Sequence, residues 1–545
     1  MRKLVLGLSC LVFAGPAISQ NFSAKDFRDA VATLSSDEFE GRLPGGHGEQ
    51  MTVDFITGQF KKIGLAPGNG DGTYVQKVPL TGHRSTPHVS IGGVPLVTPD
   101  DYVAWSYLRQ PEISVKDSEL VFVGYGAIAP EYGWDDYKGY DLKGKTMVVL
   151  INDPQIPDPK DPSKLDDKMF KGKAMTYYGR WTYKYEMAAK LGAAACLIIH
   201  ETGPAGYPYS VWANTAGAEN FDIHASGPNP GYPPIASWIT EARARAIIKA
   251  GGYDFDQLKK AALSRDFKPI PLKQTLSATI TKTMREVESA NVVGKIEGAD
   301  PKLKDQVLVI TAHWDHLGWD QSLPGGKHEQ VFHGARDNAT GIAALFELAK
   351  AFKAAKTPPA RSILFVATTS EEQELLGAKY YVRNPIFPLK RTVADINMDV
   401  INTYGATRDV EMIGSGNTTL EDQIADAAKA QGRVAKPDSR TEKGYFYRAD
   451  QVEFARQGVP VLYIKAGEEG IKDPAAYTSR VEAYTAHQYH RPADEIAADW
   501  DFDAAIDDIK LLYQVASEVA SGHATPQWKS GSEFKAKYDE MMAKP

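Results

Sequence analysis

After about Val287 the chain settles into an alternation that leaves few folds open to it. The segments QVLVITAH, SILFVATTS, TVADINMD and VPVLYIK are short and almost wholly apolar. Between them run IAALFELAKAF, ELLGAKYYV and TLEDQIADAAKAQG, whose apolar residues recur at helical spacing. Strands that are apolar throughout must be covered on both faces, and strand–helix–strand crossovers do this. The pattern therefore predicts an α/β fold with a mostly parallel mixed sheet sandwiched by helices. A closing helix, AAIDDIKLLYQVASEVAS, puts Ile506, Ile509, Tyr513, Ala516 and Val519 on one face.

Upstream the texture differs. SAKDFRDAVATLSS and GEQMTVDFITGQFKKIG read as two amphipathic helices before Gly64, separated by the glycine-rich turn DEFEGRLPGGHG. From about Ser118 come the strands SELVFVGYG and GKTMVVLIND, a Pro/Asp-rich loop, the helix TYKYEMAAKLG and the strand AACLIIH. A long Gly/Pro-rich loop then runs from Gly203 to Pro234 and precedes a helix near TEARARAIIKAG. A chain of 545 residues suits two to four domains. The tail after His523 reads as polar and loosely tied.

Composition narrows the function classes. With 62 basic against 69 acidic residues and no basic stripe, nucleic acid is excluded as a partner. The opening MRKLVLGLSCLVFAGPAISQ reads as a secretory signal. Arg2 and Lys3 start it, Leu4 to Ala14 form its apolar middle, and cleavage is expected after Ser19. Gly7, Leu8 and Ser9 before Cys10 match a lipoprotein signal poorly, so no lipid anchor is expected. No other apolar run is long enough to span a bilayer, so no transmembrane segment is expected. Cys10 leaves with the signal, and Cys196 stands alone in a strand that reads as buried. An intramolecular disulfide is thereby excluded in the mature chain. The expected location is a bacterial periplasm or the medium outside.

Chemistry gathers where the strands end, as it does in open α/β sheets. QVLVITA ends in His313, with Asp315 two residues on. SILFVATTS is followed by Glu371 and Glu372, and TVADINM by Asp399. Asp337 follows the loop after the first strand, and His490 sits in YHRPADE beyond the last. Each has a local alternative: Asp337 or Asn338 as a helix N-cap, SEEQ as a capping box, His313 in the core, His490 in a loop, Asp399 in a turn with Asn402. Capping explains neither the histidines nor Asp399. Imidazoles and carboxylates at successive strand ends are the donor set of a borderline-soft divalent ion such as zinc.

The ordered set AHWDH, GARDNATG, TSEEQELLGAKYY, INMD and YHRPADE resembles the two-zinc exopeptidases that include secreted bacterial leucyl aminopeptidases and the glutamate carboxypeptidases. SSDEFEGRLPGGHGEQ resembles that family's N-terminal segment. DLKGKTMVVL followed by YEMAAKLGAAACLII resembles a protease-associated domain, a β-rich α/β insert. The expected division is a signal peptide at 1–19, the N-terminal part of the peptidase domain at 20–117, the insert at 118–278, the main peptidase part with the metal site at 279–525, and a C-terminal tail at 526–545.

The resemblance implies a role for each site residue. His313, Asp337 and Asp399 would hold one zinc, and Asp337, Glu372 and His490 the other. Glu371 would be the general acid/base, with Asp315 orienting His313 from behind. A cis peptide is expected at Asp337–Asn338. Arg336 is expected to point away and pair with a local acid. Tyr445, Tyr447 and Asp450 are candidate substrate contacts, Phe446 and Arg448 lie among them, and Trp314, His316 and Trp319 would rim the site. The implied function is an exported two-zinc aminopeptidase acting on peptides. A carboxypeptidase or dipeptidase of the same family, a glutaminyl cyclase-like acyltransferase and a non-catalytic binding protein remain open as alternatives.

Overall fold

The computed structural model describes residues 22–224 and 231–543; the expected export signal lies outside the described residues. Two helices open the chain, α1 (Ala24–Leu34) and α2 (His47–Ile63). Ser23 caps α1 by accepting from the Asp26 amide, and Gly64 ends α2 in the left-handed region (φ 84°) that a side chain would disfavour. Both pack their apolar stripes on the main core through Phe27, Val31, Ile56 and Phe60.

The strands follow in order: β1 (Val75–Ile91), β2 (Tyr102–Trp105), β3 (Glu112–Phe122), β4 (Thr146–Leu150), β5 (Ala195–His200), β6 (Ile235–Thr240) and β7 (Ile270–Ile296). The alternating C-terminal part adds β8 (Val307–His313), β9 (Ser362–Thr368), β10 (Thr392–Asn397), β11 (Asp409–Met412), β12 (Val434–Pro437) and β13 (Val461–Ala466). One hydrogen-bonded sheet runs β12-β11-β13-β10-β8-β9-β7-β3-β4-β5-β6-β2, with β1 antiparallel to β7 off that path. Strands β9, β8, β10 and β13 are mutually parallel, as are β3, β4, β5 and β6. The long β7 joins the two halves by pairing antiparallel to β9 at one end and to β3 at the other. This is the expected mixed, mostly parallel sheet flanked by helices.

Helices α3 (Trp181–Lys190) and α4 (Glu241–Ala250) belong to the N-terminal half of the sheet. Helices α5 (Thr340–Ala354), α6 (Leu376–Arg383), α7 (Leu420–Ala430), α8 (Pro474–His487) and α9 (Phe502–Ala520) belong to the C-terminal half. All residues of β8 and β9 are buried, so each face of this half needs its cover. The N-terminal half has separate apolar cores, one around Phe122, Leu150 and Ile199 and one around Trp105, Tyr185 and Trp238. Cys196 is buried in β5 without a disulfide partner.

Two expectations and one local alternative are corrected. The tail is docked: Trp528 donates from Nε1 to the Gly458 carbonyl at 2.7 Å, and Phe534 packs on Phe446 before a last helix, α10 (Lys535–Ala543). Two large aromatics in a polar stretch outweigh its charge. The loop Gly203 to Pro234 is also structured where described, since Glu219–Ile223 adds antiparallel to β1. Finally, α6 starts at Leu376, so SEEQ is not its first turn. Positive φ at Ser370, Glu374 and Leu375 makes that segment a compact loop and removes the capping reading of both glutamates.

Candidate metal centre and its cleft

The parallel order β9-β8-β10 sets the ends of three neighbouring strands side by side. His313 is the last residue of β8, Glu371 and Glu372 follow β9, and Asp399 follows β10. Asp337 arrives from the turn Ala335–Ala339 that leads into α5. Its backbone is extended (φ −110°, ψ 95°), and the peptide to Asn338 is cis, as expected. It is not an N-cap. The Asn338 side chain staples the turn instead, accepting from the Gly341 and Val400 amides at 3.0 Å each and donating to the Met398 carbonyl at 2.9 Å. Gly341 is required there, because a Cβ would stand 2.4 Å from Asn338 Oδ1.

The two carboxylate oxygens of Asp337 face different histidines. Oδ1 lies 3.3 Å from His313 Nε2, and Oδ2 lies 3.4 Å from His490 Nε2. Asp399 Oδ1 is 3.6 Å from the same His313 nitrogen, and Glu372 Oε2 is 3.0 Å from the same His490 nitrogen. Two donors each about 2.0–2.1 Å from one tetrahedral zinc stand roughly 3.3 Å apart, so these spacings suit a shared ion on either side of Asp337. His313 Nε2 is buried and has no hydrogen-bond partner. An orphaned imidazole nitrogen among three carboxylates is what a cation would satisfy. The donor set of two imidazoles and three carboxylates fits zinc.

Charge separates the two adjacent glutamates. Burial, with Asp399 and Glu372 nearby, pushes Glu371 well above the usual carboxylate range despite the opposing pull of His313. Burial also acts to raise Glu372, but His490 and His316 outweigh it and hold it at about 2. One side chain is therefore suited to carry a proton and the other to remain an anionic ligand.

The supporting groups differ from expectation in two places. His313 Nδ1 meets the backbone carbonyl of Asp315 at 3.2 Å, while the Asp315 carboxylate is 3.7 Å away. That carboxylate instead accepts from the amides of Glu371 at 2.9 Å and Glu372 at 3.3 Å, so it fixes the glutamate loop. The i, i+2 spacing brings the carbonyl to the ring first, leaving the carboxylate for the buried amides next door. Among the described residues Arg336 pairs with no acid. Its guanidinium carbon lies 4.3 Å and 4.5 Å from the ring centres of Tyr404 and Tyr484, and its Nε has no partner. Aromatic faces replace the expected carboxylate.

Among the rim candidates, Trp314 is buried, donating to the Ala290 carbonyl at 2.9 Å, and Trp319 bonds Gln330 at 3.0 Å. His316 is nearer the centre than its place on a rim implies, with Nδ1 2.6 Å from Glu372 Oε1. Sequence reasoning missed two positioning groups. Asp494 is buried and accepts from the amides of Arg336 at 3.1 Å and Asp337 at 3.0 Å. Arg42 is also buried and donates to the carbonyls of Leu34, Trp314, His333 and Gly334 at 2.6–2.9 Å, tying α1 to the strand end and the Asp337 turn. Asp494 lies four residues after His490, inside a motif already singled out. Arg42 offers no local signal, because all four acceptors are backbone.

The centre opens into a cavity of about 860 Å³ that reaches across to the N-terminal half of the sheet. Glu371, Glu372 and His490 line it from the C-terminal half of the sheet, and Trp105, Arg180 and Tyr207 from the N-terminal half. A smaller cavity of about 150 Å³ adjoins Asp337 and Asp399 and is lined by Arg336, Tyr445 and Tyr484. Tyr445 thus borders the small cavity and Tyr447 the large one, the Tyr447 hydroxyl donating to Glu533 at 2.6 Å. Phe446 is packed in the core. Asp450 lines neither cavity: it is buried behind the site, bonded to the Thr368 hydroxyl, and burial raises it to about 7.

Three known proteins and one family model resemble this chain. The alkaline phosphatase isozyme conversion protein of Escherichia coli (strain K12) is 26% identical over 287 residues, covering 48% of this chain and 79% of that one. Aminopeptidase YwaD of Bacillus subtilis (strain 168) is 29% identical over 134 residues, 24% of this chain and 26% of the relative. The solved aminopeptidase from Aneurinibacillus sp. strain AM-1 superposes with a TM-score of 0.51 at 19% identity, covering 94% of this chain and 95% of that one, a likeness of fold. Residues 291–514, which supply every expected metal ligand and Glu371, match the model of Peptidase family M28.

Proposed function

We propose that the protein is an exported two-zinc exopeptidase that removes residues from the free N-termini of peptides. The observation that carries this reading is the division of Asp337: its oxygens face His313 and His490 separately, each beside a second carboxylate. His313, Asp337 and Asp399 would hold one zinc, and Asp337, Glu372 and His490 the other. When bound, the ions supply Lewis acidity for the scissile carbonyl and lower the pKa of attacking water.

The chain's own residues do the rest. Glu371 faces the cleft, and its raised pKa suits it to take a proton from the water and return it to the departing amine. Asp315 holds the Glu371 amide, fixing the base beside the centre, and the Asp315 carbonyl fixes the His313 ring. Asp494 and Arg42 hold the turn that presents Asp337. The small cavity beside Asp399, walled by Tyr445 and other tyrosines, receives the N-terminal residue. Residues 118–278 act as a protease-associated insert that roofs the cleft. Asp450 supports the strand end from behind and is assigned no substrate contact.

A panel of peptides with free and blocked termini, run with and without chelator, tests this reading. Free N-termini should be required and chelation should stop turnover. Cleavage of N-acetylated peptides but not of C-amidated ones would reject it. Finding fewer than two zinc ions per active chain would favour the cyclase-like alternative.

A further inference from the structure

A second gathering of imidazoles and carboxylates shares no residue with the first. Asp37, His328 and His333 each offer a donor atom, and the three atoms lie within 4.8 Å of one another. Asp37 Oδ1 is 2.9 Å from His328 Nδ1 and 2.8 Å from His333 Nε2. Glu495 stands by the opposite nitrogens, with Oε2 3.4 Å from His328 Nε2 and Oε1 3.6 Å from His333 Nδ1. The two ring centres are 4.8 Å apart. His333 is buried, while His328 is exposed. By contrast, His47 and His523 each meet a single acid at 3.8 Å.

Hydrogen bonds alone do not balance this cluster. The Pro492 carbonyl can only accept, so its 2.8 Å contact with His333 puts a proton on Nδ1. A neutral His333 then aims a bare Nε2 at a carboxylate oxygen. Protonating both rings removes that clash but sets two imidazolium ions 4.8 Å apart. One divalent cation held by Asp37 Oδ1, His328 Nδ1 and His333 Nε2 replaces both protons. Two neutral imidazoles, the carboxylates of Asp37 and Glu495 and a dication then sum to zero charge. The outer partners are also those of ligating histidines: a backbone carbonyl behind His333 and a carboxylate behind His328.

We propose that Asp37, His328 and His333 form a further divalent-metal site, separate from the centre around Asp337, that takes zinc or a similarly borderline-soft ion. Two imidazoles and one carboxylate supply three ligands, and water completes the shell on the exposed His328 side. The ion clamps distant segments together. Asp37 opens the turn Asp37–Arg42, and the His333 carbonyl accepts from Arg42 at 2.7 Å. Lys327, beside His328, bonds Glu40 in that same turn at 2.9 Å. Glu495 follows Asp494, which holds the Asp337 amide. The site therefore ties the N-terminal segment to both groups that brace the Asp337 turn. It does not rest on the exopeptidase reading.

The test is the zinc content of the full chain, stripped with chelator and returned to zinc buffered in the micromolar range. Native mass spectrometry compares the wild type, His328→Ala, Asp37→Asn and His523→Ala. His523, an exposed histidine beside Glu518, controls for loose surface binding. His328→Ala and Asp37→Asn should each hold one ion fewer than the wild type, and His523→Ala the same number. Zinc should also raise the melting temperature less in those two variants than in the wild type. A count unchanged in either variant, or lowered equally in His523→Ala, overturns the inference. The totals keep the two readings apart. Two ions retained by the wild type and both variants reject this site and leave the two-zinc centre standing. One ion in the wild type, lost in both variants, supports this site and rejects that centre. Anomalous diffraction from zinc-soaked crystals gives the location: a peak among Asp37, His328 and His333 supports the site, and its absence overturns it.

Discussion

The two walls of the cleft handle charge in opposite ways. On the C-terminal wall, Asp337, Glu372 and Asp399 lie within 3.6 Å of an imidazole nitrogen, and the surplus is negative. From the N-terminal half, Arg180 lines the cavity with Trp105, Trp181 and Tyr207, and no carboxylate of the described residues lies within 4.0 Å of its guanidinium. The first wall concentrates anions around two imidazoles, largely at strand ends. The second presents positive charge in an aromatic setting.

That contrast can be broken in steps. Asp337→Ala should have the largest effect, because in the proposed centre one side chain serves both ions. Metal content by mass spectrometry should fall for both ions, with peptidase activity at background; retention of full metal content would end the bridging assignment. Glu371→Gln should keep its metal and lose about 10²–10⁴-fold in kcat, separating proton transfer from metal retention. Unchanged turnover would remove Glu371 from the chemistry.

Asp494→Asn tests the support beneath the metal wall. It puts an amide where the Arg336 and Asp337 N–H groups now meet a carboxylate, and should cost about 10–100-fold in metal affinity or activity. A competition titration with a zinc chelator reads this directly.

The smallest expected effect belongs to the N-terminal half. Asp136 is buried, accepting from the Ala127 amide and the Trp134 indole at 2.9 Å and 2.8 Å, and burial raises its carboxyl to about 7. The native state then binds a proton more tightly than the unfolded chain, so this group's contribution to stability is fully present below about pH 4. It is lost as pH rises to about 7. Denaturant titrations from pH 4 to 7 should show that decline, and Asp136→Asn should flatten it with peptidase activity unaltered.

How much of this was legible beforehand depended on range. His313, Glu371, Glu372 and Asp399 could be picked out because each terminates or follows an apolar strand, and parallel pairing aligns such ends. The bonds that hold them were less visible. Asp315 reaches the glutamate amides rather than the His313 ring, a choice set by the fold of the Ser370–Leu375 loop. Arg336 looked like one half of an ion pair, because linear sequence does not show tyrosines 68 and 148 positions away. The tail looked loose because its charges are local and its anchor, the Gly458 carbonyl, is 70 residues distant.

The sequence by itself determined the layered α/β class, the order of the strands that carry donors and the chemical types of those donors, since periodicity and residue type are local properties. Only the tertiary structure decided which oxygen of Asp337 faces which histidine, that Arg42 and Asp494 brace the turn, and that two arginines 268 positions apart line one cavity. Those outcomes depend on which distant surfaces are pressed together once water is excluded, and burial then sets what each charge requires of its neighbours.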